Sequence, residues 1–288
     1  MKLGDKIIMQ RNLQERQGNS LSKKETQMKN QEQITQRIQE FCLLDDDFMT
    51  KCFEENAEAT ELVLCIVLSK PDIKVEKVAT QYNIKNIKGR SLRLDIFATD
   101  STGKKYNIEI QRADKGADAK RARYHSSLID CNILPSGFEV ENLTETYVIF
   151  ITENDVIGKN KPIYHIDRYV REAEEYFNDG SHIIYVNASY KDDTELGKLM
   201  HDFSCSNPDD MNYKVLAATA RYFKEDKEGI RAMSRVMEEI ITEMVTDEKK
   251  NVALRMLEEG GYSMEQMVRI SGLSEDVIEK LSEELQPV

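Results

Sequence analysis

The chain has 288 residues, of which 40% are hydrophobic and 32% charged, and its formal net charge is −12. That length supports a substantial core in one or two domains, while the acidity argues against a dedicated nucleic-acid binder with an all-basic face. The five cysteines (Cys42, Cys52, Cys65, Cys131 and Cys205) lack CxxC spacing and the four histidines do not cluster, which excludes a zinc framework or disulfide scaffold; the odd cysteine count and the lack of a secretory signal point to a cytoplasmic protein.

Residues 1–40 are polar, rich in Gln, Lys and Asn, and read as a disordered or partly helical tail. Helical spacing begins at Asp46 and continues to Ser69, with Pro71 closing it. Within it Glu54, Glu58 and Glu61 line one flank, and the run Leu62 to Leu68 is the longest apolar stretch. That run falls far short of the ~20 residues needed to span a membrane. Ile73 to Ile84 then reads as an extended segment leading into a hairpin, giving three successive antiparallel strands.

The hairpin, 92–111, carries carboxylates on both strands. Leu92, Leu94, Ile96 and Ala98 alternate with Arg93, Asp95 and Phe97; Tyr106, Ile108 and Ile110 alternate with Lys105, Asn107, Glu109 and Gln111. The connection Ser101-Thr102-Gly103 suits a three-residue loop with Gly103 in the left-handed region. That choice pairs Asp100 with Lys104 and sets Asp95 directly opposite Glu109, whereas a two-residue loop would put the two acids on opposite faces. Like charges at that separation, roughly 5 Å between Cβ atoms, repel. A divalent cation between them turns the fault into a site; two solvated acids on an exposed sheet face is the alternative.

Between Lys104 and Arg123 seven Lys or Arg face three Asp or Glu, a local net of +4 that includes Arg112, Lys120, Arg121 and Arg123. It reads as a phosphate-facing patch or as the solvated side of a hairpin and helix. Ala117 to Asp130 has helical spacing, with Ala117, Arg121, Tyr124 and Leu128 on one stripe. Tyr147 to Thr152 is a continuous apolar run, as expected of a strand buried on both faces. Lys161 to Ile166 and His182 to Asn187 are further strands, separated by a helical stretch and the Asp179-Gly180 turn. The fold class expected is therefore α/β (α+β), a mixed sheet flanked by helices.

From Asp193 on the pattern is helical, broken at Pro208 and at Gly260-Gly261. Its apolar positions, among them Leu199, Phe203, Leu216, Tyr222, Met233, Val236, Met237, Ile240 and Ile241, read as core and interface, and the methionines suit adaptable packing against a partner. The last 37 residues read as three short helices, with Ser263 and Gln266 as a capping box and Gly272-Leu273-Ser274 as a tight turn. Eight acidic residues against two basic ones over 258–288 argue against a helix-turn-helix that grips DNA and favour a bundle that caps the fold or self-associates.

Asp95 on one strand and Glu109-Ile110-Gln111 on the next resemble the core motif of the PD-(D/E)XK nuclease superfamily. The longer text, GRSLRLDIFATDSTGKKYNIEIQ followed by KRARYHSSLID and YVIFITEND, resembles its bacterial recombination-promoting nuclease and transposase family, from about Asp46 to the end. The resemblance implies a restriction-endonuclease-like core over 41–190, after the tail 1–40 and before a helical region 191–288. It implies Asp95, Glu109 and the Ile110 carbonyl as ligands of Mg²⁺, or Mn²⁺ in its place, with Glu61 as a further acid. It places the 117–130 helix across the site, where Arg121 and Tyr124 touch a phosphate or position the water. Gln111 stands where the motif has Lys and lacks its positive charge. The implied activity is metal-assisted cleavage of DNA linked to recombination or mobile elements; the alternative is a weakly active or inactive DNA-associated or protein-interaction module on the same fold.

Overall fold

Three strands follow one another in antiparallel order, β1 (Val75–Ile84), β2 (Leu92–Asp100) and β3 (Lys105–Gln111). The structure is a computed structural model that describes residues 31–86, 89–112, 116–134 and 136–285, so most of the expected tail lies outside the described residues. The crossover helix α4 (Ala119–Ile133) leads from β3 to β4 (Thr146–Thr152), which pairs parallel with β3. β8 (Ser181–Asn187) adds parallel to β4, and β5 (Ile163–Ile166) closes the edge antiparallel to β8. The strand order is β1-β2-β3-β4-β8-β5, a mixed sheet flanked by helices. All seven residues of β4 are buried, which is why its sequence is apolar at successive positions rather than alternating.

The β2–β3 connection is the three-residue loop its sequence predicts. Gly103 has φ +88°, the Asp100 amide donates to the Lys104 carbonyl at 3.2 Å, and the Gly103 amide donates back to the Asp100 carbonyl at 3.0 Å. Asp100 secures the turn, because its Oδ1 accepts from the amides of Thr102 (2.9 Å) and Lys104 (3.0 Å), and its Oδ2 from the buried Tyr106 hydroxyl (2.7 Å). Burial alone would raise this carboxyl; the donors around it hold it below its ordinary range.

A helical stretch between β5 and β8 is not what forms. Residues in that interval make a small hairpin of β6 (Tyr169–Val170) and β7 (Glu175–Tyr176). Glu174 turns the chain at φ +54°, the Tyr169 and Tyr176 rings meet edge-to-face at 5.7 Å, and Arg168 pairs with Asp179 across the base. These cross-strand contacts outweigh the weak helical spacing of the segment.

Before the sheet, helical residues 31–40 (α1) bury Ile34 and Ile38. The single helical pattern from Asp46 resolves into α2 (Asp46–Phe53) and α3 (Ala57–Val67), parted at Glu55 with φ +54°. After the sheet come α5 (Glu195–Ser204) and α6 (Lys214–Glu225), and α2, α3, α5 and α6 pack on one another. Lys224 on α6 is buried, and its Nζ donates to the carbonyls of Gln39 (2.8 Å), Phe41 (2.6 Å) and Ser206 (2.5 Å). Hydrogen bonds to a charged group contribute roughly 1.5–3 kcal/mol each, so three of them offset part of the cost of burying the ammonium, and burial still holds its pKa below the usual lysine value.

The chain divides into two compact units, one reaching Ile230 and one starting at Arg231. The first therefore includes α5 and α6, whereas the sequence reading places the change at 190/191. In the second unit the expected first short helix is the end of a single long one, α7 (Lys227–Glu259). α8 (Met264–Ser271) and α9 (Glu275–Glu284) follow, and Ala253, Met256, Met267 and Ile278 form the core they share with the end of α7. The Ser263–Gln266 capping box is formed, and Gly272 ends α8 in the left-handed region at φ +69°. Among the described residues no helix is long and apolar enough to cross a membrane.

Candidate active site

β2 and β3 are paired from Thr99↔Lys105 to Ile96↔Ile108, and this register, continued by one pair, sets Asp95 opposite Glu109. At that point the acids themselves bridge the strands. The Ile110 amide donates to Asp95 Oδ2 at 2.9 Å, and the Asp95 amide donates to Glu109 Oε1 at 3.3 Å. Glu109 is fully buried and Asp95 partly so, which removes the alternative of two solvated surface acids. Glu109 Oε2 is buried with no hydrogen-bond partner.

α4 crosses the face of the sheet that carries Asn107 and Glu109. Asp118 caps its first turn, accepting from the amides of Lys120 (2.9 Å) and Arg121 (3.2 Å). Arg121 and His125, one turn apart, reach down together. Arg121 Nη2 lies 3.6 Å from Glu109 Oε2, and its Nε donates to His125 Nε2 at 3.3 Å. The other ring nitrogen, Nδ1, lies 3.2 Å from the Asn107 side-chain nitrogen and 3.6 Å from Glu109 Oε1. His125 and Asn107 are fully buried, and the His125 ring packs on Phe150 at 5.8 Å.

Magnitudes decide what this arrangement lacks. Burying a carboxylate costs several kcal/mol, and a guanidinium about 4 Å away returns roughly 4 kcal/mol at an effective dielectric near 20. One half-exposed arginine thus cannot compensate two carboxylates. Burial, and after it the charge of Glu109, accordingly push the Asp95 carboxyl up to about 8, against the opposing hydrogen bond from Ile110.

Asp95 lines a cleft of about 1110 Å³, with Arg90, Arg93, Lys120, Arg121 and Arg123 against Asp46 and Asp118 in the same lining; Glu109, fully buried, lies behind Asp95 and does not line it. In a chain of net charge −12 this is a locally basic opening over an acidic floor. A family model described as PD-(D/E)XK nuclease family transposase matches residues 47–259. The chain belongs to that family. No curated protein and no solved structure matches it.

PD-(D/E)XK nucleases act with divalent metal ions, and the residues of this family member suit a hard one. Asp95 and Glu109 offer oxygen donors, Glu109 Oε2 is a buried acceptor with no hydrogen bond, and the two acids have only the Arg121 guanidinium beside them. Among the described residues no group of three or more His, Cys, Asp and Glu side chains gathers to hold an ion. Two carboxylates, a main-chain carbonyl, water and substrate oxygens are therefore the set available.

The expected PD-(D/E)XK residues are not all brought together. Asp95, Ile110, Gln111, Lys120, Arg121, Arg123 and Tyr124 line the cleft, and the Tyr124 hydroxyl is fixed by donating to the Arg90 carbonyl at 2.5 Å. Glu61 is elsewhere: it accepts from Lys74 Nζ (2.6 Å) and the Val75 amide (3.1 Å), which hold its carboxyl below its ordinary range. The acid that the early helices bring to the cleft is Asp46, held by Gln81 at 3.1 Å. Arg112 pairs with Asp45 and with Glu153 (3.5 Å) and does not line the cleft. Sequence reasoning missed Arg90, Arg93, Asn107 and His125. Parity along the strands carried part of the signal, since Arg93 shares a face with Asp95 and Asn107 shares one with Glu109; His125 stands at i+4 from Arg121.

Proposed function

We propose that the protein is a Mg²⁺-dependent DNA endonuclease, linked to recombination or mobile elements and working in the cytoplasm. The observation that carries this reading is the buried, bridged pair Asp95 and Glu109, short of positive charge, beneath a basic cleft. Asp95, Glu109 and the Ile110 carbonyl would hold the ion, and Mn²⁺ would serve in place of Mg²⁺. A divalent ion bound there lowers the pKa of its water and neutralises charge on the phosphodiester.

The protein's own groups do the rest. Arg90, Arg93, Lys120 and Arg123 follow the DNA backbone, contributing affinity that falls with salt. Asp118 keeps the α4 first turn in place, and Tyr124 anchors the Arg90 main chain at the cleft wall. Gln111 orients the attacking water without charging it. Self-association through α7 is part of the same proposal, because Ile241, Met244 and Val245 expose an apolar stripe on that helix.

The deciding measurement is plasmid cleavage in Mg²⁺ and Mn²⁺ by the native protein, Asp95→Ala and Glu109→Ala. Each substitution is expected to cost at least ~100-fold in rate. Equal nicking by all three would sink the site. DNA binding by a native protein that cleaves nothing would favour the inactive module, the reading to which Gln111 at the lysine position lends support.

A further inference from the structure

Gln111 leaves this site without the cation that its motif position would supply, and the structure places a different one beside it. Arg121 Nη2 is 3.6 Å from Glu109 Oε2, the buried oxygen that has no hydrogen bond. The Arg121 side chain is 36% exposed, enough to reach both Glu109 and the cleft. Gly116 makes room for this. With φ +129° and no side chain, it leaves open a position where a Cβ would stand 2.4 Å from Gln111 Oε1 and 3.5 Å from Arg121 Nη1. The neutral amide and the guanidinium thus come together over the same glycine.

Arg121 is also held. Its Nε is taken by His125 Nε2, and His125 is fully buried between Asn107, Glu109 and Phe150. With Nε committed to the sheet side, the terminal nitrogens are left for Glu109 and for whatever enters the cleft. The other expected cations are differently placed: Arg112 is engaged by Asp45 and Glu153, and Lys120 and Arg123 are exposed on α4.

We propose that Arg121, positioned by His125, is the catalytic cation of this site and supplies the charge that Gln111 cannot. The inference rests on the endonuclease reading above. In the step it serves, a water oxygen bonds to phosphorus and gives up a proton to solvent. The opposite bridging P–O bond breaks, and its electron pair leaves with the sugar oxygen, which takes up a proton; the products are a phosphomonoester and a hydroxyl. Arg121 stabilises the extra negative charge on the non-bridging oxygens. A guanidinium does not deprotonate in proteins, so its part is electrostatic and not that of a base. His125 is a positioning residue that fixes which edge of the guanidinium faces the phosphate.

The test compares native protein, Arg121→Gln, the double variant Arg121→Gln with Gln111→Lys, and His125→Gln. Plasmid cleavage is measured in Mn²⁺, affinity for a labelled duplex in Ca²⁺, and Mn²⁺ binding by calorimetry, with thermal melting to verify folding. Arg121→Gln is expected to lose ~100-fold or more in cleavage, to lose only several-fold in duplex affinity, as for roughly one phosphate contact, and to bind Mn²⁺ at least as tightly as the native protein. Lysine at 111 is expected to restore at least ~10-fold of the loss. His125→Gln is expected to lower kcat with KM little changed. Where Arg121→Gln fails to fold, Arg121→Lys is its substitute, with the same assays and a smaller loss of cleavage.

Native-like cleavage by Arg121→Gln, a loss fully matched by lost duplex affinity, weakened Mn²⁺ binding, or no rescue by Lys would each overturn the assignment to Arg121. A His125→Gln variant that changes only KM would overturn the positioning role. Active native protein with an indifferent Arg121 would sink this inference alone; native protein that cleaves nothing would sink the endonuclease reading and this inference with it.

Discussion

Asp95 keeps its proton to a pH at which an ordinary aspartate has long lost it, since burial and Glu109 carry its carboxyl from 3.8 to about 8. Because the folded-state value lies above the unfolded one, the stability this group contributes is fully present below about pH 4 and is lost as the pH climbs to about 8. Asp95→Asn keeps an acceptor for the Ile110 amide while removing the charge. In metal-free protein it is expected to raise Tm relative to native at pH 8, by about 2–4 °C for each kcal/mol recovered, and to change little at pH 4. Melting curves across that range check the sign; a variant less stable than native at pH 8 would contradict it. The same proton competes with an ion, so Mn²⁺ affinity of the native protein is expected to rise up to about pH 8.

At the scale of the element, the hairpin ties sequence to site most directly. Its loop length fixes strand parity, and parity fixes whether the two acids meet. Deleting Thr99 from β2 while keeping the Ser101-Thr102-Gly103 loop slides Asp95 one position along β3, opposite Ile108, and turns it to the face away from Glu109. Loss of both Mn²⁺ binding, by calorimetry, and plasmid cleavage is the expected result; native-like values in a folded deletion variant would refute the register argument. This part of the molecule was legible beforehand because alternation, a glycine at a fixed offset and like charges face to face are all local. The continuous apolar run of β4 and the capping box of α8 were legible for the same reason. What the sequence hid depends on distant partners. Glu61 looked available until Lys74 and the Val75 amide occupied it, Arg112 until Asp45 and Glu153 did. His125 looked like any helical histidine until the sheet came within reach of it. The β6–β7 hairpin escaped notice because two-residue strands carry no periodicity to read.

For the molecule as a whole, the open question is what covers the middle of α7. Met244 is 66% exposed, with Ile241 and Val245 beside it. Segment 238–243 of this helix holds three Glu and no Lys or Arg, and segment 249–255 holds three Lys or Arg and no acid. Two copies laid antiparallel on this stripe bring opposite charges side by side and bury the apolar residues between them. Sedimentation velocity is expected to show a dimer that weakens with salt, and Ile241→Glu with Met244→Glu to give a monomer of native Tm. A native monomer at all concentrations would dismiss the pairing.

The two acids at the open end of the hairpin also stand in for missing rungs of the sheet, each occupying an amide of the neighbouring strand. Each holds its amide through one oxygen, Asp95 through Oδ2 and Glu109 through Oε1, and Glu109 Oε2 has no hydrogen bond of its own. The bridge between the strands and the acceptor left for a ligand thus sit on different oxygens of the same side chain, so the hairpin holds its open end closed without using Glu109 Oε2.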